Sequence, residues 1–427
     1  MSTRPGLMKA GASPGGRVLA ILLVAYIFNF IDRQIIGILA VPIKAELALT
    51  DQQLGLMGGL AFALFYSGLA IPIAWLADRR SRVNIIAASV ALWSAFTAAC
   101  GLAQNFWQLF LARMGVGIGE AGGVAPSYAL ISDFYPKERR ARALALFSLG
   151  IPIGSALGVF FGGWIASHLD WRSAFLIVGL AGLPAALLVK LGVPEPVRGG
   201  FDTADGQASE PAPPFLAVAA TLARTPSFWL LSFGAASGSI LGYGLIFWLP
   251  SFFKRSFGLE LMEVSWFYGS IVLVGGVAGT WLGGWIGDRV GRSNPGAYAL
   301  VPAICFLIAA PVFAFGLFAP SLAVGWILFA VGQMLALAWL GPVIAAVQHI
   351  VPPNMRATSS ASFLFINNLI GIGFGIFFLG FMSDRMTEAH GDDALQYSIL
   401  YGLGFYLLSA LIYFAASTRL KRDWYRG

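Results

Sequence analysis

Two related stretches of sequence decide the fold: Ala74-Trp-Leu-Ala-Asp-Arg-Arg-Ser-Arg82 and, 210 residues later, Gly284-Trp-Ile-Gly-Asp-Arg-Val-Gly-Arg292. A second pair lies at nearly the same offset, 216 residues: Pro136-Lys-Glu-Arg-Arg-Ala141 and Pro352-Pro-Asn-Met-Arg-Ala357. Two independent matches at almost one spacing indicate an internal duplication. We therefore expect two related halves that run parallel to each other in sequence order.

Long apolar runs surround these repeats. The 427 residues are 58% hydrophobic and 11% charged, whereas soluble domains carry roughly a quarter charged residues. Runs such as 83–103 and 171–191 are continuously apolar, which favours helices over the alternating strands of a membrane barrel. The sequence predicts an all-α membrane protein with twelve transmembrane helices in two six-helix halves, at 17–44, 51–77, 83–103, 106–133, 139–168, 171–191, 226–255, 261–287, 296–318, 320–350, 356–384 and 393–418.

The distribution of basic residues predicts the orientation. Of the 27 Lys and Arg, 20 lie in the two tails and the loops on their side, and 5 lie in the opposite loops. The positive-inside rule then makes both termini cytoplasmic in a multi-pass protein of the inner (plasma) membrane. The expected parts are an N-tail at 1–16, a first half at 17–191, a cytoplasmic linker at 192–225, a second half at 226–418 and a C-tail at 419–427.

The sequence lacks the residues that several other classes of protein require. The net charge of +7 comes from short clusters between apolar runs, so topology explains it better than nucleic-acid binding does. Cys100 and Cys305 lie in separate halves, which makes a disulfide or a metal site improbable. The chain carries no phosphate-binding loop, metal cluster or nucleophile arrangement. We expect neither an enzyme nor a cofactor.

Four charged residues lie well inside the predicted helices, away from the helix ends. Asp32 and Glu120 are the acids well inside the membrane, and Arg33 and Arg113 are the two basic residues there. Asn29, Asp32 and Arg33 share a helix face, as do Arg113 and Glu120, two turns or about 10 Å apart. Intramembrane charges are costly and mark ion or substrate pathways.

This spacing leaves two interpretations open. Asp32 and Glu120 are the candidate proton-coupling residues, because burial raises the pKa of a carboxyl and a neighbouring arginine lowers it again. Adjacent Arg33 is expected to hold Asp32 ionised, leaving Glu120 the freer acid, although either acid could carry the proton and the two could titrate as one site. The alternative is a static ion-pair cluster that only joins two helices.

The repeated loops resemble a known family. Asp288-Arg289-Val-Gly-Arg292 is similar to the signature loop of the major facilitator superfamily, and Asp78-Arg79-Arg-Ser81-Arg82 is its first-half copy with Ser in place of Gly. The segments Asn29-Phe-Ile-Asp-Arg33, Arg113-Met-Gly-Val-Gly-Ile-Gly-Glu-Ala121 and Gly150-Ile-Pro-Ile-Gly-Ser-Ala-Leu-Gly158 resemble the spinster-type lipid transporters. The first of these also resembles organic-anion symporters.

The resemblance implies a gating role for the loop residues Asp78, Arg79, Arg82, Asp288, Arg289 and Arg292. In that family the loop forms a state-dependent ion-pair gate, in which Asp78 meets Arg82 and the start of the eleventh helix. Simple positive-inside topology is the competing explanation. Ser81 in place of Gly is expected to weaken the turn. The glycine stripe Gly154, Gly158 and Gly162 is interpreted as helix packing.

The second half offers neutral candidates for substrate contact. Tyr243, Asn367 and Asn368 lie in mid-membrane, where ligand binding and hydrogen bonding between helices are both compatible with them. Trp339 is a cavity candidate because the family lines its cavity with the first, fourth, seventh and tenth helices. Together with Asn29, Arg33 and Arg113, these residues make up the expected substrate site.

The resemblance implies a proton-coupled secondary transporter that works by alternating access. An arginine pair beside apolar walls suits the phosphate or carboxylate of an amphipathic anion, such as a lysophospholipid or a sphingosine phosphate. The alternatives are a proton-coupled organic-anion symporter and a drug exporter. A channel would need a continuous polar stripe, which the neutral second half does not provide. The expected partners are the bilayer, protons and the anionic substrate, with no nucleic acid.

Overall fold

The computed structural model describes residues 14–77, 79–196, 213–291 and 294–425. Within these ranges the regular structure is entirely helical, and no strand occurs. Ten stretches of the described residues are long and apolar enough to cross a membrane. Large apolar side chains such as Trp281 and Leu111 are 68% and 59% exposed on the outer surface. Such a surface suits contact with lipid.

The first half, over its described residues, is built from ten helices and one π-helical turn. Their bounds are α1 Pro14–Ile38, α2 Ala40–Leu47, α3 Asp51–Gly55, a π-helix Leu56–Leu60, α4 Ala61–Ala77, α5 Arg82–Cys100, α6 Phe106–Glu120, α7 Val124–Phe134, α8 Lys137–Ser148, α9 Gly150–His168 and α10 Trp171–Gly192.

The second half follows a short helix, α11, at Phe215–Ala223. Its helices are α12 Pro226–Ser256, α13 Leu261–Gly291, α14 Ala297–Leu317, α15 Leu322–Leu337, α16 Leu340–His349, α17 Arg356–His390, α18 Ala394–Gly402 and α19 Gly404–Asp423, with 3₁₀ turns at Pro353–Met355 and Gly391–Asp393. The stretch 358–423 counts as one of the ten apolar stretches and holds nearly all of the last two predicted segments. The segment predicted at 106–133 is not among the ten, because it is divided into α6 and α7, each too short to cross a membrane alone. All twelve predicted segments are helical over most of their length.

Proline explains why several predicted segments are broken. A proline inside a helix clashes with the carbonyl four residues earlier and cannot donate to it. The breaks at 39, 121–123, 149 and 338–339 each lie at or next to the residue four positions before Pro42, Pro126, Pro152 and Pro342. Single segments were predicted at 17–44, 106–133, 139–168 and 320–350, and each is divided in this way. The segment predicted at 393–418 is also divided, at 403, where no proline lies nearby.

The expected linker is partly structured. Residues 197–212 lie outside the described residues, but α11 is helical and buries Val218 and Leu222. Its sequence, Phe-Leu-Ala-Val-Ala-Ala-Thr-Leu-Ala, consists mostly of good helix formers with apolar residues at helical spacing. The last helix also continues to Asp423, beyond the predicted end of the second half at 418.

Matching glycines pack the same pair of helices in each half. A Cβ on Gly158 of α9 would lie 2.8 Å from the backbone of Ile31 in α1, and one on Gly375 of α17 would lie 2.0 Å from the carbonyl of Ile240 in α12. One turn earlier on α9 and α17, Gly154 approaches the backbone of Ile27 in α1, and Gly371 approaches the Ser239 side chain in α12. The glycine stripe on the fifth predicted helix therefore packs helices, as predicted. The equal spacing extends the duplication into the packing.

Both ends of the chain meet the same face of the bundle. Arg17, near the start of α1, donates to the carbonyl of Gly192 at the end of α10, at 2.8 Å. Trp424, just after α19, stacks on Tyr298 at 5.6 Å between ring centroids. We call this side the terminal face and the other side the opposite face.

Candidate functional site

Glycines on α6 bring the buried charges of the first half together. A Cβ on Gly117 would lie 2.8 Å from the carbonyl of Phe62 in α4, and one on Gly119 would lie 2.5 Å from the backbone nitrogen of Trp93 in α5. No side chain fits at either position without displacing a helix. The close approach places Glu120 fully inside the half, where it has 0% exposure.

Arg33 and Glu120 form an ion pair between α1 and α6. The Arg33 Nε donates to the Glu120 Oε2 at 2.7 Å. The expectation that Arg33 holds its sequence neighbour Asp32 and leaves Glu120 freer was therefore wrong. Successive helix residues point about 100° apart, so Arg33 reaches a carboxylate on another helix more easily than its neighbour.

Asp32, Arg113 and Asn29 lie in the same buried cluster. Their exposures are 3%, 2% and 1%, and Arg113 interacts electrostatically with both Asp32 and Glu120. Several polar atoms of this cluster have no hydrogen-bond partner within the described residues. They are both amide atoms of Asn29, the Oδ1 of Asp32, two nitrogens of Arg113 and the Oε1 of Glu120. Buried polar groups are normally satisfied, so this cluster has spare capacity for water, protons or a ligand.

Arg33 is the charged residue of the cluster that faces the other half. Its side chain is 14% exposed, and its guanidinium lies over the rings of Phe30, Phe62 and Tyr66, at 5.1, 5.1 and 4.5 Å. Tyr243 of α12 also lies within electrostatic range of Arg33. The structure thus surrounds one cation with aromatic rings at the junction of the halves, a favourable cation–π arrangement.

The second-half candidates form one hydrogen-bonded chain. Ser239 donates to Asn367 at 2.8 Å, and the amides of Asn367 and Asn368 are joined at 3.3 Å. Tyr243 donates to Asn368 at 3.3 Å, which links α12 with α17 close to Arg33. Trp339 lies apart from this chain, at the break before α16, where its ring meets Phe363.

The first of the repeated loops is anchored by carboxylates. Arg82 forms an ion pair with Asp133 at the end of α7. Ser81 caps α5 by accepting from the Asn84 N–H, and its hydroxyl donates to Glu195 at 2.6 Å. The expectation that Ser81 weakens the turn was wrong, because Ser is a preferred N-cap residue.

Other loop candidates are less fully described. Arg79 lies over the Trp75 ring at 3.8 Å, and Arg289 lies over the Trp285 ring at 5.4 Å. Asp78 and Arg292 lie outside the described residues, and so does the side chain of Asp288.

An interhalf junction on the opposite face was missed by the sequence reasoning. Asp51, the first residue of α3, accepts from Lys44 at 2.7 Å, from Arg255 of α12 at 2.6 and 2.7 Å, and from Ser383 of α17 at 2.8 Å. Asp384 in turn accepts from the backbone N–H groups of Asp51 and the next residue, at 3.0 and 2.7 Å. We call this network the Asp51 junction. One signal was present: Lys44 and Arg255 are two of only five basic residues predicted on that face.

Two repeated helical halves, a buried charge cluster and a polar junction between the halves define a membrane transporter rather than an enzyme. The sequence model of the family described as the Major Facilitator Superfamily matches residues 22–376, and the chain belongs to this family.

Three similar proteins indicate which members of the superfamily this chain resembles. An MFS-type efflux pump of Mycolicibacterium smegmatis is 34% identical over 423 residues, covering 98% of this chain and 95% of the relative. The probable sphingolipid transporter spinster homolog 1 of Arabidopsis thaliana is 29% identical over 460 residues, covering 95% and 91%. The crystal structure of a bacterial homolog to the human lysosomal transporter Spinster, in an inward-facing and unoccupied conformation, is 32% identical with a TM-score of 0.88, covering 98% of this chain and 100% of that one. The spinster resemblance is confirmed.

Proposed function

We propose that this spinster-like protein couples the movement of an amphipathic anion to protons, by alternating access across the inner (plasma) membrane. Both termini and the linker lie on the cytoplasmic side in this proposal, in agreement with the excess of basic residues there. The observation that carries the proposal is the buried Arg33–Glu120 ion pair, with Asp32 and Arg113 beside it.

The ion pair suggests how substrate and proton are linked. An anionic head group that binds Arg33 or Arg113 competes with the carboxylate for the same cation. A buried carboxylate that loses its cationic partner binds a proton more readily. Substrate and proton then favour each other's binding, and this linkage is reciprocal. Asp32 and Glu120 act as the proton-coupling pair, and the two acids titrate as one coupled site.

An amphipathic substrate fits the surroundings of the charges. Arg33 offers fixed donors to a phosphate or carboxylate, while Phe30, Phe62 and Tyr66 offer apolar contacts to a chain next to it. Asn29 is 1% exposed and lies one helical turn before Arg33, so it supports the head-group site from inside the first half and does not touch the substrate. The side that covers the tail includes Tyr243, Asn367, Asn368 and Trp339. The Arabidopsis relative is named a probable sphingolipid transporter, which supports a lysophospholipid or sphingosine phosphate.

Export of drugs is the second candidate, because the mycobacterial relative is named an efflux pump. A proton-coupled organic-anion symporter would use the same arginines. A cationic drug would instead need the acids as its direct partners. Binding of cationic and anionic probes to the same variants separates these candidates.

The Asp51 junction supports alternating access. It joins the two halves on the opposite face, as a transporter open toward the terminal face requires, and the solved spinster homolog is described as inward-facing. In this proposal the gate at the terminal face is formed by the loop residues Asp78, Arg79, Arg82, Asp288, Arg289 and Arg292. The Asp51 junction closes the opposite face.

The experiment is uptake by purified protein in liposomes, with and without an imposed pH gradient. Fluorescent lysophosphatidylglycerol, a small organic acid and a cationic dye are the three probes. Gradient-dependent movement of the lysolipid alone supports the proposal. Movement of the dye alone would favour drug export, and movement of none of the probes would leave a receptor or scaffold as the better explanation.

A further inference from the structure

A small cavity lies within the first half, beside the buried charges and on their terminal-face side. Its wall includes Ala25, Tyr26 and Asn29 of α1, Trp93 of α5, Gly123 at the helix break and Ser127 of α7. Asn29 is one helical turn before Arg33, and the N–H of Gly123 donates to the Glu120 carbonyl at 3.0 Å. The cavity therefore borders the charge cluster at Asn29 and close to the backbone of Glu120, from within the first half.

Two polar groups of the wall have unused hydrogen-bonding capacity. Among the described residues, the Trp93 Nε1 has no hydrogen-bond partner. The Asn29 amide lies within reach of the Glu120 carboxylate but makes no hydrogen bond of full geometry. The two side chains are 2% and 1% exposed. An amide offers donors and an acceptor, and an indole offers one donor. These are the partners that a buried water molecule requires, and the cavity has room for about one.

The route from the space between the halves is obstructed by charge. Arg33 stands between that space and Glu120, holding the Oε2, and a permanently charged guanidinium repels an approaching excess proton. The groups that face Glu120 are Arg33, Asp32 and Asn29 of α1 and Arg113 of α6, and Tyr66 of α4 faces Arg33. The Oε1 of Glu120, on the other hand, has no hydrogen-bond partner among the described residues.

We propose that protons reach and leave Glu120 through this cavity, inside the first half, while the substrate uses the space between the halves. The inference rests on the proposed proton coupling. A water molecule held by Asn29 and Trp93 accepts a proton from the terminal-face side and passes one to the Glu120 carboxylate. The water is thereby regenerated, and the carboxylate becomes a neutral acid that no longer pairs with Arg33. Tyr128 and Ser148, whose hydroxyls lie 3.5 Å apart, supply polar groups farther along this route.

The test measures how fast Glu120 takes up a proton. The purified protein is subjected to a pH jump, and time-resolved infrared spectroscopy follows the carboxyl band that disappears in Glu120→Gln. Ala25→Leu fills the cavity with an apolar side chain and is expected to slow protonation about tenfold or more. Trp93→Phe keeps an aromatic ring but removes the donor, and we expect a slowing of severalfold. Ala20→Leu makes the same change at an exposed position of α1 and serves as the matched control.

The equilibrium titration of the Glu120 band tests the proposed proton coupling, and the rate of Glu120 protonation tests the route. If no Glu120 band titrates in the wild type, proton coupling at Glu120 fails, and the route fails with it. If the band titrates normally but Ala25→Leu and Trp93→Phe, both folded by their melting curves, are protonated at the wild-type rate, the route is wrong and the proposed function stands. Slowing in both variants, with Ala20→Leu unchanged, supports the route.

Discussion

The pairing of Arg33 with Glu120 shows what a single residue's sequence position does and does not specify. The spacing of Asn29, Asp32 and Arg33, and of Arg113 and Glu120, correctly predicted two helix faces bearing charge. Which acid meets which arginine depends on the rotation and separation of α1 and α6. The position of α6 is fixed by its close packing on α4 at Gly117 and on α5 at Gly119. Such interhelical geometry is not contained in the spacing along one helix.

The proton-coupling proposal makes a prediction for the two acids. Asp32→Asn and Glu120→Gln are each expected to reduce pH-gradient-driven uptake by at least about tenfold, because each removes a group that exchanges a proton. At least one variant should still bind substrate, with a weaker dependence on pH. The measurement is uptake in proteoliposomes alongside binding from about pH 5 to 9. Full gradient-driven transport by the double variant would leave the four charges as a static ion-pair cluster.

Head and tail of the substrate are expected to respond to different residues. Arg33→Ala should weaken binding of an anionic lysolipid by about ten- to a hundredfold, the value of a hydrogen bond to a charged group. Asn367→Ala, in the neutral half, should change affinity with chain length and not with head-group charge. Titration calorimetry compares the two variants, with charged and uncharged lysolipids of two chain lengths as ligands. Arg33→Lys is the control that keeps the charge and loses the fixed geometry, and equal sensitivity of both sites to head-group charge would contradict this division.

At the scale of helices, the Asp51 junction is the feature that sequence reasoning missed. Its charged members lie near the end of α2, at the start of α3, near the end of α12 and about two turns before the end of α17. In the sequence each looks like an ordinary charge at a helix end. Helix breaks are a different case. Four of them lie at or beside the residue four positions before Pro42, Pro126, Pro152 and Pro342, as a local rule explains. The rule alone does not locate the breaks, because Pro72, Pro184, Pro250, Pro302 and Pro311 lie inside continuous helices.

Neutralising the junction is expected to open the opposite face. Asp51→Asn removes the charge shared by Lys44 and Arg255 and should shift the population toward the state that is open there. Distances between spin labels on α3 and α17 report the shift. Asp170→Asn serves as the control, because Asp170 caps α10 within one half by accepting from Ser173 at 2.6 Å. An unchanged distance distribution in Asp51→Asn would show that the junction does not hold the face closed.

The glycine contacts predict a local loss of stability. Gly158→Ala places a methyl group 2.8 Å from the backbone of Ile31, and overpacking of this kind costs about 1 to 3 kcal/mol. Gly68→Ala is the matched control, since a Cβ there meets nothing within 4 Å, and alanine favours the helix. Thermal unfolding in detergent should show a lower Tm for the first variant only. Equal Tm values would mean that α1 and α9 can separate at little cost.

For the whole molecule, composition and the repeated loops were enough to predict the architecture. The lengths of the apolar runs indicate the membrane-spanning segments, and the offset between repeats indicates how those segments are grouped into halves. The structure of the chain between the halves was harder to predict, because Phe215–Ala223 is short and lies beside residues rich in Gly and Pro. Tertiary burial of Val218 and Leu222 stabilises a helix there.

The orientation of the whole molecule yields a testable prediction. Single cysteines in residues 197–212, in a background without Cys100 and Cys305, should be labelled by a membrane-impermeant reagent only after the cytoplasmic side is exposed. The physical reason is that 20 basic residues lie on that side of the predicted topology and 5 lie on the opposite side. A cysteine in place of Thr50, on the opposite face, is the control and should be labelled in intact cells. The reverse pattern would overturn the topology.

The repeated glycine contacts have a consequence for how such a protein evolves. Gly154 and Gly158 pack α1 just as Gly371 and Gly375 pack α12, yet the buried acids and arginines described above belong to the first copy alone. After duplication, the packing of the two copies remained alike while their chemistry diverged. In the proposed function the first copy carries both the proton-coupling acids and the arginines that bind the head group, so the second copy is free to change its preference for the tail. Related transporters with the same driving ion and head group should accordingly differ in the tails they accept mainly through substitutions in their second copy.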